Sequence, residues 1–499
     1  MDFRHLARAS RALTVALTLA SSGLFAAGCG SGGSGGGGGA ASTVAGSTSS
    51  TQTGPAPVSS GSAGATGSSA TVVAITPAAP PPSRGSWMKG DLHSHSAPYS
   101  QDADRQGGDP PGTCFYLGEV QGLDFMALTD HRTMDQLQDP TYKANLTILD
   151  GEEWGGAVHI GMVGLKQQVP EIDQSLGAAT LNAQVQAAYD DAHRQGGVVI
   201  TNHPCDGAKM HVWLSHTFDA VEVWNIYWNF PTFKDGSLTD VDDQLAGLGL
   251  AAIGEDANPE IRIAAAARGG GMNHQAVKFY EAQLNAGRKK AAVGGGDRHS
   301  ITFPGIPTTR VFAAGSSQAD VVEGIRRART WVGADQGVDL EYTADADGDG
   351  VFEAIIGDSV PLNRPVTYRL RVQKGKDGRV DVIQDGRTIY QWAIPGDDET
   401  FTWTSTATTR SWMRVDVFEK VEWQGVSGAF AALATFGPGA GGSGVTGLST
   451  YAAPLGFQLS LGTRYPTIRL PHTYDKVLNL DRMNWGYSRG AITSPIWSE

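Results

Sequence analysis

Beyond residue 87 the hydrophobic positions fall into short runs separated by amphipathic stretches. Residues 88–92, 125–129, 145–149, 158–163, 197–201, 220–223 and 291–294 read as strands. Between them, residues 180–193 set Leu181, Val185, Ala188 and Ala192 at helical spacing. Residues 273–286 repeat the pattern with Val277, Tyr280, Gln283 and Leu284, and Gly287 closes that helix. Seven strands with interleaved helices predict an α/β domain over 87–330, a (β/α) barrel rather than an open sheet. Residues 234–271 break the rhythm and read as an insertion near the mouth. After Trp331 the runs shorten and alternate, at 367–372, 379–384, 400–404, 412–418 and 467–470. Turn residues separate them, which predicts a C-terminal all-β sandwich over 331–499, with helix 318–327 as the hinge.

The first 86 residues carry no such pattern. Arg4, Arg8 and Arg11 precede an apolar run at 12–25 that is too short to span a bilayer. It ends in Ala26-Ala27-Gly28-Cys29, which resembles a bacterial lipoprotein signal, with residues 1–28 removed and Cys29 lipidated. The alternative is ordinary secretory cleavage after Ala27 or Gly28, leaving Cys29 free. Either reading exports the chain, and lipidation anchors it to the membrane of the cell envelope. Residues 29–86 are almost entirely Gly, Ser, Ala, Thr and Pro and are expected to be a disordered linker. A flexible linker of that kind reaches about 40 Å.

Of 66 glycines, many lie in this linker, so the remainder has an ordinary globular composition. A net charge of −13 excludes a general nucleic-acid binder, which needs a basic face. Three cysteines exclude a disulfide scaffold and a four-cysteine zinc site; Cys114 and Cys205 could pair or stay free.

The histidines carry the chemistry. In Asp91-Leu92-His93-Ser94-His95 two imidazoles two residues apart at a strand end share one face. Thr129-Asp130-His131 follows the next strand, and Gly151-Glu152-Glu153 the third, with His159 close behind. Asn202-His203-Pro204 and Gly296-Asp297-Arg298-His299 end later strands. Strand C-termini of a barrel converge on one mouth, so these groups predict a multinuclear metal site.

As an ordered set, these motifs together with Glu222-Val223-Trp224-Asn225 resemble the polymerase-and-histidinol-phosphatase (PHP) superfamily, in its CehA/McbA, carbaryl-hydrolase-like branch. The resemblance covers 87–327, and residues 491–497 resemble the end of the sandwich that follows such domains. It implies a distorted (β/α)7 TIM-like barrel with two or three metals at its mouth. His93, His95, Asp297 and a bridging Glu153 would hold the first, and His159 and His203 would share Glu153 around the second. His131, His299 and Asp102, chosen from the 100–104 loop, would hold a third. Mixed N and O ligands suit Zn, Mn or Fe. Such cations would acidify a water and polarise an ester, with Asp130 or Glu222 taking the proton or orienting a ligating histidine.

The implied activity is phosphoester hydrolysis on a small-molecule substrate. Carboxylester or carbamate hydrolysis and a non-catalytic surface ligand-binding lipoprotein are the alternatives. An amidohydrolase also opens with H-x-H but normally uses a bridging lysine, and only Lys166 lies near a suitable strand end. Trp224, Asn225 and Arg298 are substrate-pocket candidates, and Trp213, Tyr227 and Trp228 could line the same pocket or simply pack. Asp345, Asp347, Asp349 and Glu353 match the start of a calcium loop, which leaves structural calcium and a solvated acidic turn both open.

Overall fold

The computed structural model describes residues 85–155, 159–172, 178–204, 217–225, 272–299, 303–333, 337–420 and 487–499. The signal, Cys29, the linker, Cys205, Trp213, Tyr227, Trp228, the 234–271 insertion and the 467–470 strand lie outside them. Among the described residues, no helix is long and apolar enough to cross a membrane.

The N-terminal part contains β1 (Ser86–Asp91), β2 (Phe125–Leu128), β3 (Thr147–Trp154), β4 (Ile160–Val163), β5 (Val198–Thr201), β6 (Ala220–Asn225), β7 (Ala291–Gly295) and β8 (Thr308–Ala313). Its helices are α1 (Gln101–Arg105), α2 (Pro111–Val120), α3 (Ala178–Gln195), α4 (Met272–Asn285) and α5 (Gln318–Arg326). The sheet order is β8-β1-β2-β3-β4-β5-β6-β7. β1, β2 and β3 run parallel, as do β5, β6 and β7. β4 is antiparallel to both its neighbours, and β8 is antiparallel to β1.

The expected ring of parallel strands is therefore corrected to a curled mixed sheet. The physical reason is connection length. A parallel crossover needs about a dozen residues or more, and the stretch between Trp154 and Ile160 is too short for one. Among the described residues no ladder joins β7 to β1. Gly294 of β7 and Thr309 of β8 exchange hydrogen bonds, from Gly294 N to Thr309 Oγ1 at 2.8 Å and from Thr309 Oγ1 to Gly294 O at 2.7 Å. Beyond the strand ends, one parallel bridge pairs Ser94 with Arg298.

Helix α3 buries Val185, Ala188, Tyr189 and Ala192, and α4 buries Val277, Phe279, Tyr280, Gln283 and Leu284, which are the faces their periodicity dictates. Helix α5 starts with a reciprocal cap between Ser317 and Asp320. It buries Val321, Val322 and Ile325 in the same core as Leu149 of β3 and Val198 and Ile200 of β5, so it is a barrel helix rather than a hinge.

The C-terminal part adds β9 (Thr330–Gly333), β10 (Asp339–Asp345), β11 (Ala354–Ile355), β12 (Ser359–Val360), β13 (Val366–Gln373), β14 (Arg379–Gln384), β15 (Arg387–Ala393), β16 (Asp398–Ser405), β17 (Ser411–Lys420), β18 (Tyr487–Thr493) and β19 (Ile496–Ser498). A four-stranded antiparallel sheet, β11-β10-β13-β16, faces a second layer as a sandwich requires. That second layer continues the barrel sheet through β8, β9, β18 and β17. Tyr342, Tyr368, Leu370, Val380, Val415 and Ile496 fill the space between the layers, each contributing about 1.5–3 kcal/mol by burial. Ile492, Trp412 and Trp497 instead join the barrel core beside Tyr280.

Candidate metal centre

The exit of β1 is fixed before any ligand is placed. Asp91 accepts hydrogen bonds from His93 N at 2.9 Å, Gly296 N at 3.1 Å and Gly305 N at 2.7 Å, which ties the β1 exit to the β7 exit. Burial still pushes its carboxyl up to about 6, against those hydrogen bonds. His93 and His95 then point to one side, both buried. His203 and Asp297 adopt φ of 27° and 44°, a left-handed backbone that costs non-glycine residues and clusters at functional sites. Strand alternation on β3 separates its two glutamates. Glu153 turns toward the histidines, while Glu152 turns away and accepts from Val169 N at 2.7 Å.

Glu153 is the hub. Its Oε1 lies 3.2 Å from His93 Nε2 and 3.4 Å from His203 Nε2. Its Oε2 lies 2.9 Å from His131 Nδ1, 3.1 Å from His159 Nδ1 and 3.6 Å from His95 Nε2. Asp297 Oδ1 lies 3.2 Å from both His93 Nε2 and His95 Nε2. Asp102, in the first turn of α1, puts Oδ2 at 2.8 Å from His131 Nε2 and 2.9 Å from His299 Nε2. All nine predicted ligands thus converge.

His93, His95, Glu153 and Asp297 lie together, as do His131, His299 and Asp102. The ligand atoms group as His93–His203–Asp297, His93–His95–Glu153, His131–Glu153–His159 and His95–His131–His299, each within 4.8 Å. His203 therefore sides with His93 and Asp297, and it meets the opposite Glu153 oxygen from His159.

This donor set fits divalent cations. Glu153 Oε2 and His95 Nε2 are buried and make no hydrogen bond, although basic and acidic atoms surround them. Atoms that close without hydrogen-bond geometry aim at shared space rather than at each other. Burial opposes ionisation of Glu153 and Asp297, yet the surrounding imidazoles hold both carboxyls well below the usual range. Burial, together with His299 and His131, pushes His95 down to about 3, so it is a neutral donor. His131 is raised to about 10 because Glu153 and Asp102 outweigh its burial, so cations there would displace protons.

Neighbouring groups orient the donors. His93 Nδ1 donates to Glu222 Oε1 at 2.9 Å, which presents Nε2 to the cluster. His299 Nδ1 donates to the Asp297 carbonyl at 2.8 Å, with the same effect. Glu222 Oε2 also receives His203 N at 2.7 Å and Asn225 Nδ2 at 3.2 Å. Asp130 accepts from Ser96 N and Ser96 Oγ, both at 2.6 Å, and burial raises its carboxyl to about 6. Both carboxylates thus buttress the site.

Of the pocket candidates, Trp224 and Arg298 lie away from a cleft, while Asn225 stays beside the cluster. Trp224 packs in the barrel core. Arg298 is fully buried, pairs with Asp109 and donates to Cys114 Sγ at 3.3 Å, so it does not face a cleft. Asn225 touches Asp297 Oδ2 at 3.2 Å. Asn202 is a site residue that the sequence reading does not single out: its Nδ2 donates to Glu153 Oε1 at 3.1 Å. Its position directly before His203 at a strand end is the signal that could have found it.

In the acidic loop, Asp345, Asp347 and Glu353 lie together, while Asp349 is outside the group. Asp345 spends its oxygens on Gly348 N at 2.7 Å and Gly350 N at 3.0 Å, as a self-capped turn does.

No family model matches the sequence, and no curated protein matches it. Among solved structures, a two-domain protein from Bacteroides vulgatus containing a predicted PHP-like metal-dependent phosphoesterase is similar at 13% identity. That match covers 68% of this chain and 92% of that one, with a TM-score of 0.32. PsfC from Pseudomonas syringae matches at 13% identity over 48% of this chain and 87% of its own, with a TM-score of 0.25. The functional reading rests on the residues of the site.

Proposed function

We propose that the chain is a metal-dependent hydrolase of the PHP type, acting on phosphoesters of small molecules. The observation that carries this reading is Glu153, whose two oxygens meet five imidazoles while Oε2 makes no hydrogen bond. His93, His95, His131, His159, His203, His299, Glu153, Asp297 and Asp102 would hold two or three Zn, Mn or Fe ions. Such cations supply Lewis acidity, which lowers the pKa of a water and stabilises charge on the attacked ester. The protein's own contribution is preorganisation. Glu222 fixes the tautomer of His93, and Asn202 fixes the Glu153 carboxylate. Asp130 holds the loop that carries His95. The Ala26–Cys29 signal supports an exported protein anchored through lipid on Cys29.

The test is metal content by plasma mass spectrometry together with turnover of phosphomonoester, phosphodiester, aryl-ester and carbamate substrates. Two or three equivalents of transition metal, with phosphoester turnover lost in His93→Ala and Asp297→Ala, is the expected result. Failure to bind metal after reconstitution would refute the site. Turnover of carbamate or carboxylester alone would move the enzyme to the carbaryl-hydrolase class. Cys29→Ser should release the protein from the membrane fraction; unchanged partitioning would refute the anchor.

A further inference from the structure

A second polar concavity lies away from the metal centre, where α4 meets β14, β15, β17 and β18. It has a volume of about 60 Å³, and its lining includes Lys278, Glu281, Gly386, Thr388, Arg414 and Arg489. At roughly 15 Å³ for each water-sized group, that is room for about four oxygens.

Arg414 decides what those oxygens belong to. It is 1% exposed, and its Nε donates to Asp416 Oδ1 at 2.9 Å. Its Nη2 serves Asp416 Oδ2 at 3.2 Å and Glu281 Oε1 at 2.9 Å. Its Nη1 is buried and makes no hydrogen bond. An unsatisfied buried nitrogen on a charged group is costly, and a charged acceptor relieves it better than a neutral one.

The charge balance agrees. Arg414, Arg489 and Lys278 line the space against Glu281 alone. Asp416, which lies 3.2 Å from Arg489 Nη1, is shared between Arg489 and Arg414. Lys278 Nζ is 2.5 Å from Glu281 Oε2, so that carboxylate is engaged from both sides. A planar guanidinium favours two oxygens of one acceptor over a single point charge. Thr388 adds a hydroxyl at the exposed rim.

We propose that this cavity binds a small tetrahedral oxyanion, phosphate or sulfate, independently of the metal centre. The test uses the full-length protein stripped of metal by a chelator, so that phosphate cannot report the metal site. Inorganic phosphate, sulfate and chloride are titrated at constant ionic strength, with binding read by calorimetry and Tm. Saturable binding of phosphate or sulfate with a rising Tm is expected, and whichever binds tighter is the physiological candidate. Thr388→Glu, which places a carboxylate at the rim and leaves the Arg414 pairs intact, should raise the Kd at least tenfold with an unchanged circular dichroism spectrum. Arg414→Gln should abolish binding; if it fails to fold, Thr388→Glu decides. His93→Ala should keep the oxyanion response in full. Absence of binding, an equal response to chloride, indifference to Thr388→Glu, or loss in His93→Ala would each overturn the proposal.

Discussion

Glu152 is the sharpest test of the electrostatic reasoning, because it sits beside the site without belonging to it. Burial, reinforced by Glu171, raises its carboxyl from 4.5 to about 8 despite the hydrogen bond from Val169 N. Its Oε2 makes no hydrogen bond. Below pH 4.5 both native and unfolded chains hold the proton, and this group costs nothing. As pH rises from 4.5 to about 8, the unfolded chain releases the proton first, so native stability falls. The full cost above that window is about 5 kcal/mol, an upper bound because relaxation and water entry reduce it. Glu152→Gln is neutral at every pH and keeps an acceptor for Val169. The variant should therefore match the parent near pH 4.5 and exceed it by about 2–3 kcal/mol at pH 7.5. Urea unfolding of metal-free protein at several pH values, with m unchanged, measures this. A stability difference that stays flat across the window would refute the reasoning.

Gly295→Ala would place a Cβ 2.3 Å from His93 Cβ and 2.8 Å from Glu222 Oε1, so it should destabilise the fold by about 1–3 kcal/mol and lower metal stoichiometry. Chelation should lower Tm in the parent but not in His93→Ala, as calorimetry of both would show. Asn202→Ala should leave the fold intact and weaken metal binding about tenfold, measured by competition with a chromogenic chelator. Truncation after residue 486 removes Ile492 and Trp497 from the barrel core and should abolish cooperative unfolding.

The candidate ligands were legible because metal chemistry restricts both residue type and position. Packing alone does not call for histidines at one strand end after another, and the nine named side chains converge. The resemblance singled out Glu153, and strand alternation on β3 sends Glu152 to the other face. The direction of β4 was hidden, because its apolar run, Ile160–Val163, reads the same in either orientation. β15 was hidden for a different reason: it is an edge strand with both faces largely exposed, so its sequence carries no burial alternation. Arg298 stands between two candidate ligands in sequence, yet it is buried against Asp109, and Trp224 packs in the core.

The continuity of the wide sheet has a consequence in time. Ser494 Oγ accepts from Ala292 N at 2.8 Å, and Ser494 N donates to Thr330 O at 2.9 Å. β7, which leads into Asp297, is thus braced by a residue 202 positions later, and β18 fills the slot between β9 and β17. A growing chain can form β1 to β3 early, but these contacts wait for residues 487–498. Bracing of the strand that leads into Asp297 is then coupled to residues 487–498, so a chain lacking them does not hold that side of the cluster in place.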